Sequence, residues 1–191
     1  MKAPNALRFR YATSQRLRLT IPALLALAAA EPTLAASCAE LNGAQIPAAA
    51  IALPTSGAEV TAATLVPGGG SAPQTFGPYC DLSVEIAPID RSAPNIRMRI
   101  VLPEQWNSKA MMYGGGGYNG TVPNVAGNVP AGPVDQPTPL GRGYAVFASD
   151  SGHVANPLNP GDFAWNGEAL ANYGHDALKK TRDTAMYLIG Q

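Results

Sequence analysis

The chain has 191 residues, 46% of them hydrophobic and 14% charged, enough for one domain with a buried core. Thirteen basic residues balance thirteen acidic ones, so no basic surplus marks the chain for nucleic acid. The balance is uneven along the sequence, and that unevenness is the first readable feature.

Lys2, Arg8, Arg10, Arg16 and Arg18 crowd the first segment, Leu19 to Ala30 is apolar, and Thr33-Leu34-Ala35-Ala36 supplies small residues. This is the pattern of a secretory signal over residues 1–36, with cleavage expected near Ala36. Its removal takes five basic residues and one acidic one, leaving eight against twelve and a net charge of −4 on residues 37–191. The apolar run is shorter than the roughly 20 residues of a membrane span. A secreted or periplasmic protein with no stable membrane span is expected.

The two cysteines, Cys38 and Cys80, are most simply read as one disulfide in an exported chain. Acylation of Cys38 as a lipoprotein and a pair of free thiols are the alternatives; the leucine expected three residues before a lipoprotein cysteine is missing. Ala44 to Tyr79, rich in Ala, Pro and Gly and broken by Pro67-Gly68-Gly69-Gly70-Ser71-Ala72-Pro73, reads as an irregular surface arm.

After Cys80 the pattern alternates. Leu82, Val84 and Ile86 share one face of a strand over Asp81 to Ala87, and Ile96, Met98 and Ile100 one face of a second over Asn95 to Leu102. The connection between them is long enough for a hairpin loop, and Arg97 and Arg99 fall on the solvated face. A third strand, Lys109 to Tyr113, runs into Gly114-Gly115-Gly116-Gly117-Tyr118-Asn119-Gly120. Glycine loses the most entropy on ordering, so four in succession after a strand call for a functional reason. The reading favoured here is an oxyanion hole, with backbone N–H groups of Gly116 and Gly117 free to face developing negative charge.

A Gly/Pro/Asn-rich connection leads to a fourth strand, Gly143 to Ala148, whose continuous apolar run suits a sheet buried on both faces. It ends in Ser149-Asp150-Ser151-Gly152-His153, where open α/β sheets place their sites. Asp150 and His153 are expected to order this loop through hydrogen bonds, or to support the oxyanion loop. A closing helix is expected over Glu168 to Ile189, with Asn166 as N-cap and a buried stripe of Leu170, Tyr173, Ala177, Thr181, Ala185 and Leu188. Asp176 with Lys180 and Lys179 with Asp183 are expected as ion pairs on its wet side.

Gly115-x-Gly117-x-x-Gly120 also satisfies the dinucleotide fingerprint, but Thr121-Val122-Pro123 follows where a helix must open, which sets nucleotide binding aside. Two histidines without supporting carboxylate spacing make no metal site. No Gly-x-Ser-x-Gly, Ser-x-x-Lys or Cys/His arrangement occurs, so no triad residue can be assigned.

Taken together, Cys38, Cys80, Leu102-Pro103-x-x-Trp106-Asn107, the glycine run with Tyr118-Asn119-Gly120, Arg142-Gly143-Tyr144-Ala145, Ser149 to His153 and the closing helix resemble the N-terminal part of the tannase and feruloyl esterase family. The resemblance implies an α/β fold, part of an α/β-hydrolase domain over residues 37–191. It further implies a secreted serine esterase acting on small aromatic esters of the feruloyl or galloyl type, a Cys38–Cys80 disulfide, and an oxyanion N–H at Gly117. The family's nucleophile elbow, the rest of its triad and its calcium-binding lid lie beyond the segment resembled here, so this chain is expected to be an N-terminal fragment, inactive alone, with no cofactor of its own. A secreted binding or structural module without chemistry is the alternative, and it predicts a cooperative folder.

Overall fold

The computed structural model describes residues 36–191; the leader expected over residues 1–36 lies, except for Ala36, outside them. Among the described residues no helix is long and apolar enough to cross a membrane. One mixed sheet of six strands organises them, in the order β1-β2-β3-β4-β6-β5. The strands are β1 (Gln45–Ile46), β2 (Gly57–Val66), β3 (Tyr79–Ala87), β4 (Ile96–Pro103), β5 (Ala110–Met112) and β6 (Ala145–Ser149).

The β3–β4 hairpin carries the alternation read from the sequence. Leu82 pairs with Ile100, Val84 with Met98 and Ile86 with Ile96, so six apolar side chains meet on one face in three cross-strand pairs. All six are buried. On the opposite face Arg99 forms a bidentate ion pair with Asp81, while Arg97 reaches the buried Asp150. The two arginines are thus solvated only in part; each ends on a carboxylate.

The expected surface arm from Ala44 to Tyr79 instead holds two strands of the sheet. β2 runs antiparallel to β3 along ten residues, with a bulge between Val60 and Ala62, and β1 adds to its outer edge. Only Ala58 and Val60 in its first half turn fully inward besides Gly57, and the second half is Ala- and Thr-rich and mostly exposed. A strand that buries so little, with a bulge that breaks its period of two, leaves no alternation to read. The proline-glycine breaker does form the β2–β3 loop, stapled by the Gly69–Phe76 bridge.

β6 is buried at all five positions, as its apolar run implies, but it lies antiparallel to β4 and parallel only to β5. Phe147 joins the core of the hairpin face, and Val146 and Ala148 join a second cluster on the other side with Tyr79, Val101, Tyr113, Val125 and Leu140.

The closing helix is divided. α1 (Gly167–Ala171) passes through a π turn, Asn172–Asp176, into α2 (Ala177–Ile189). Asn166 caps it as expected, its side chain accepting the Ala169 N–H at 2.9 Å. Beyond the π turn the expected stripe of Ala177, Thr181, Ala185 and Leu188 is buried; before it the buried residues are Ala169 and Asn172, each one position earlier than Leu170 and Tyr173. One inserted residue turns the helix face by about 100°, which accounts for the displacement.

The expected Asp176–Lys180 pair does not form. Lys180 is only 2% exposed and donates to Asn172 Oδ1 at 2.9 Å and Glu168 Oε1 at 3.3 Å, while Glu168 also accepts the Asp90 N–H at 2.7 Å. The Lys179–Asp183 pair does form, though Asp183 is buried and also accepts the Ala52 N–H at 3.1 Å, tying α2 to the segment before β2.

Cys38 and Cys80 form a disulfide with Cα atoms 5.5 Å apart and a sequence separation of 42. On the chain-entropy account a loop of that length stabilises the fold by roughly 3 to 4 kcal/mol. The double substitution of both cysteines by serine is expected to lower the free energy of unfolding in urea by about that amount, measured by circular dichroism, with a larger m-value because the released unfolded chain exposes more surface.

Asp183 sets an acid limit. Its burial favours the neutral carboxyl, but Lys179, the Ala52 N–H and Arg182 outweigh that and hold its pKa below the ordinary value. A carboxylate lowered on folding stabilises above its unfolded pKa of about 3.9 and loses that contribution as pH falls through the folded value. Acid unfolding of Asp183→Asn should therefore show a weaker pH dependence below about pH 4 than the unaltered chain.

Candidate functional site

β5 delivers the glycine loop at its C-terminal end, beside the C-terminal end of its parallel neighbour β6. Tyr113, the residue after β5, is held by its N–H on Phe147 O at 2.8 Å, and from Gly114 the backbone leaves the sheet. Gly114 to Tyr118 are exposed, and among the described residues none of their N–H groups has an internal acceptor. Five successive N–H groups are thus left without an internal partner in exposed backbone at the end of a strand.

The far side of the loop is tightly held. Asn119 donates its side-chain amide to Ser149 O at 3.1 Å and to Ser151 Oγ at 2.7 Å, and its N–H closes a turn on Gly116 O at 2.9 Å. Gly120 donates to Asp150 O at 3.1 Å and accepts the Ala155 N–H at 2.9 Å. Asn119 and Ser151, both non-glycine, sit in the left-handed region at φ 57° and 66°. Such conformations persist where the surroundings over-determine them.

Two glycines have a demonstrable steric reason. A Cβ on Gly115 would lie 1.9 Å from Asn119 Oδ1, and one on Gly120, itself at φ +82°, would lie 2.4 Å from Ala155 N. Gly116 and Gly117 have open space where a Cβ would go. Their small size keeps the loop's outer surface clear rather than solving a packing problem.

Asp150 is fully buried. Its carboxylate accepts the Arg97 Nε at 2.7 Å, the Arg97 N–H at 3.1 Å and the Gly152 N–H at 2.9 Å. Burial pushes its pKa above the ordinary value, against the opposing pull of the Arg97 side chain and the Gly152 N–H. It orders the loop after β6, as expected, and its backbone carbonyl holds the glycine loop.

His153 does something else. It is 2% exposed, and among the described residues neither ring nitrogen has a hydrogen-bond partner. Its ring stacks on Phe163 at 4.0 Å and meets Tyr173 edge-on at 5.6 Å. A buried unpaired polar group costs about 1 to 3 kcal/mol, so the expected loop-ordering hydrogen bonds are replaced by an aromatic cluster that leaves a polar cost standing. Tyr118 joins the same cluster, and the Tyr173 hydroxyl donates to Gly117 O at 3.4 Å. The sequence reading placed Tyr173 in the core stripe and gave Phe163 no role; only the π turn, invisible to periodicity, brings Tyr173 to the loop.

A cavity of about 460 Å³ lies at the other end of the sheet, by Ala145, Leu102, Trp106 and the disulfide. Ala145 begins β6 whereas the site follows its end, so that cavity is separate from the glycine loop. Among the described residues no group of three or more His, Cys, Asp or Glu side chains is placed to hold a metal ion, and none is assigned to calcium.

A mixed sheet with a glycine loop after one parallel strand and a helix packed on it defines an α/β fold. The crystal structure of an esterase from Aspergillus oryzae has the same fold, with a TM-score of 0.52 at 21% identity over 74% of this chain and 28% of that one. The family model for tannase and feruloyl esterase matches residues 80–191, and the chain belongs to that family. An uncharacterized esterase of Agrobacterium fabrum is 43% identical over 161 residues, 84% of this chain and 29% of the relative. The mono(2-hydroxyethyl) terephthalate hydrolase of Piscinibacter sakaiensis is 33% identical over 78 residues, 39% of this chain and 13% of the relative. The chain thus spans less than a third of the length of the curated relatives it matches.

The loop's two kinds of glycine should respond differently to substitution. Gly120→Ala is expected to destabilise by about 2 kcal/mol or more, from a strained φ and a backbone clash, while Gly116→Ala stays within about 0.5 kcal/mol. Urea unfolding of the two variants side by side checks this; equal costs would contradict the close approach of Gly120 to Ala155.

Proposed function

We propose that this segment supplies the oxyanion-binding half of a secreted serine carboxylic ester hydrolase acting on esters of aromatic acids. The observation that carries the proposal is the pair of exposed, internally unpaired N–H groups at Gly116 and Gly117, in a loop held by Asn119 and Gly120 to the end of β6. Family membership supports ester chemistry, and the disulfide is consistent with export.

In this reading a serine Oγ, contributed from outside these 191 residues, attacks the ester carbonyl while a histidine base takes its proton. The carbonyl electron pair moves onto oxygen, where the Gly117 N–H and a second backbone N–H receive it. Collapse of that oxyanion expels the alcohol, which takes the proton from the histidine, and water then releases the acid by the same path. The loop's contribution is preorganisation: donors already fixed need no rearrangement as charge develops.

Proline, the obvious way to delete an N–H, is incompatible with Gly117 at φ +58°. Replacing the glycine by glycolate, an amide-to-ester exchange, removes the N–H alone. In the protein that carries this segment the exchange is expected to lower kcat on methyl ferulate and methyl gallate about 10²- to 10³-fold with little change in KM. An unchanged kcat would exclude Gly117 from the oxyanion hole, and equal turnover of an aliphatic ester would remove the aromatic-acid part of the reading.

A further inference from the structure

We propose that Lys180 is a positioning residue for the glycine loop: its amino group holds the closing helix in the register that places the Tyr173 hydroxyl on Gly117. Lys180 is 2% exposed, and the ester chemistry proposed for the loop gives it no task. Its Nζ donates to Asn172 Oδ1 at 2.9 Å and to Glu168 Oε1 at 3.3 Å, and both partners are themselves committed. Glu168 accepts the N–H groups of Ile89 and Asp90 at 3.3 and 2.7 Å. Asn172, 1% exposed, packs so closely on Gly152 that a Cβ added to that glycine would lie 2.9 Å from the Asn172 Cβ.

Helical geometry ties this cluster to the π turn. At about 100° per residue, eight residues of regular α-helix set Asn172 about 80° from Lys180 around the axis, and twelve set Glu168 about 120° away. One inserted residue takes back about 100°, which brings each of them to within about 20° of Lys180, one on either side. The three side chains converge in the π register and diverge in a regular helix.

The same rotation decides where Tyr173 stands. A regular helix continuing the buried stripe of Ala177, Thr181, Ala185 and Leu188 would turn Leu170 and Tyr173 inward. With the π turn Ala169 and Asn172 are inward instead, and the Tyr173 hydroxyl lies 3.4 Å from Gly117 O. Gly117, at φ +58° and without a Cβ, is free to swing both of its flanking peptide planes. The Asn119 N–H on Gly116 O fixes the plane that carries the Gly117 N–H, and the Tyr173 hydroxyl on Gly117 O fixes the plane after it. The second hold comes from outside the loop and depends on the register. The inference rests on the ester-hydrolase reading for its kinetic consequence alone.

In the protein that carries this segment, crystals of Lys180→Met, which keeps the stem and loses Nζ, are expected to show residues 172–176 back in α-helical bonding and the Tyr173 hydroxyl out of reach of Gly117 O. The variant should lower kcat on methyl ferulate about two- to tenfold with KM within about twofold, as should Tyr173→Phe, and adding it to Tyr173→Phe should cost less than about a further twofold. Asn172→Asp, which keeps an acceptor for Nζ, should retain both the π turn and kcat. Where Lys180→Met fails to fold, Asn172→Leu carries the same expectations. A π turn intact in the variant, with Tyr173 still on Gly117, overturns the proposal. So does an undiminished loss of kcat in the Tyr173→Phe background, because Lys180 would then act by another route. An unaltered protein that hydrolyses no ester removes the proposed function, and the crystal structure of the variant still decides the role of Lys180.

Discussion

The constraint on which the rest of the structure depends is the burial of β6 on both faces. Every one of its five side chains is enclosed, one face packed into the hairpin core and the other into the Tyr113 and Val125 cluster. A strand so enclosed cannot shift register without exposing apolar surface and stranding its ladder bonds. Its C-terminal carbonyls, Ser149 O and Asp150 O, are therefore fixed points, and these are the atoms that grip Asn119 and Gly120. The glycine loop thus takes its position from the strand that is buried at every residue.

Sequence reading was strongest where side-chain pattern and burial coincide. The β3–β4 hairpin, the β5 and β6 strands, the Asn166 cap and the buried stripe of α2 all follow from period or capping chemistry. It failed at β2 because Ala and Thr on a half-exposed, bulged strand produce no alternation, while flanking prolines and glycines imitate a loop. It failed again at Lys180. A lysine four positions after Asp176 reads as half of a solvated ion pair, and nothing local announces that Asn172 and Glu168 will enclose it.

The site was legible in its backbone and opaque in its side chains. Four glycines in a row are conspicuous because their entropic cost has no local compensation. The cluster around His153 is assembled from residues 118, 153, 163 and 173, which are scattered through the sequence and of which only Tyr173 lies in the π turn. Asn119 illustrates the same limit: it heads a glycosylation sequon, Asn119-Gly120-Thr121, yet its amide is spent on Ser149 and Ser151.

Several local departures from good folding practice meet in one place, although Ser108 and Ala131 are also left-handed and the buried hydroxyls of Thr181 and Thr184 in α2 also lack partners among the described residues. The glycine run, the left-handed Asn119 and Ser151, the buried Asp150 with its raised pKa and the unpaired nitrogens of His153 all lie around the ends of β5 and β6. At the other end of the chain's architecture the elements agree: paired apolar faces in the hairpin, a disulfide across the first strands, a buried carboxylate with three partners joining α2 to Ala52. Each of the costs around β5 and β6 could be removed separately by common substitutions. Their meeting around exposed glycines is what selection for a charged or polar ligand at that point would leave, with the hairpin core supplying the stability that the site consumes.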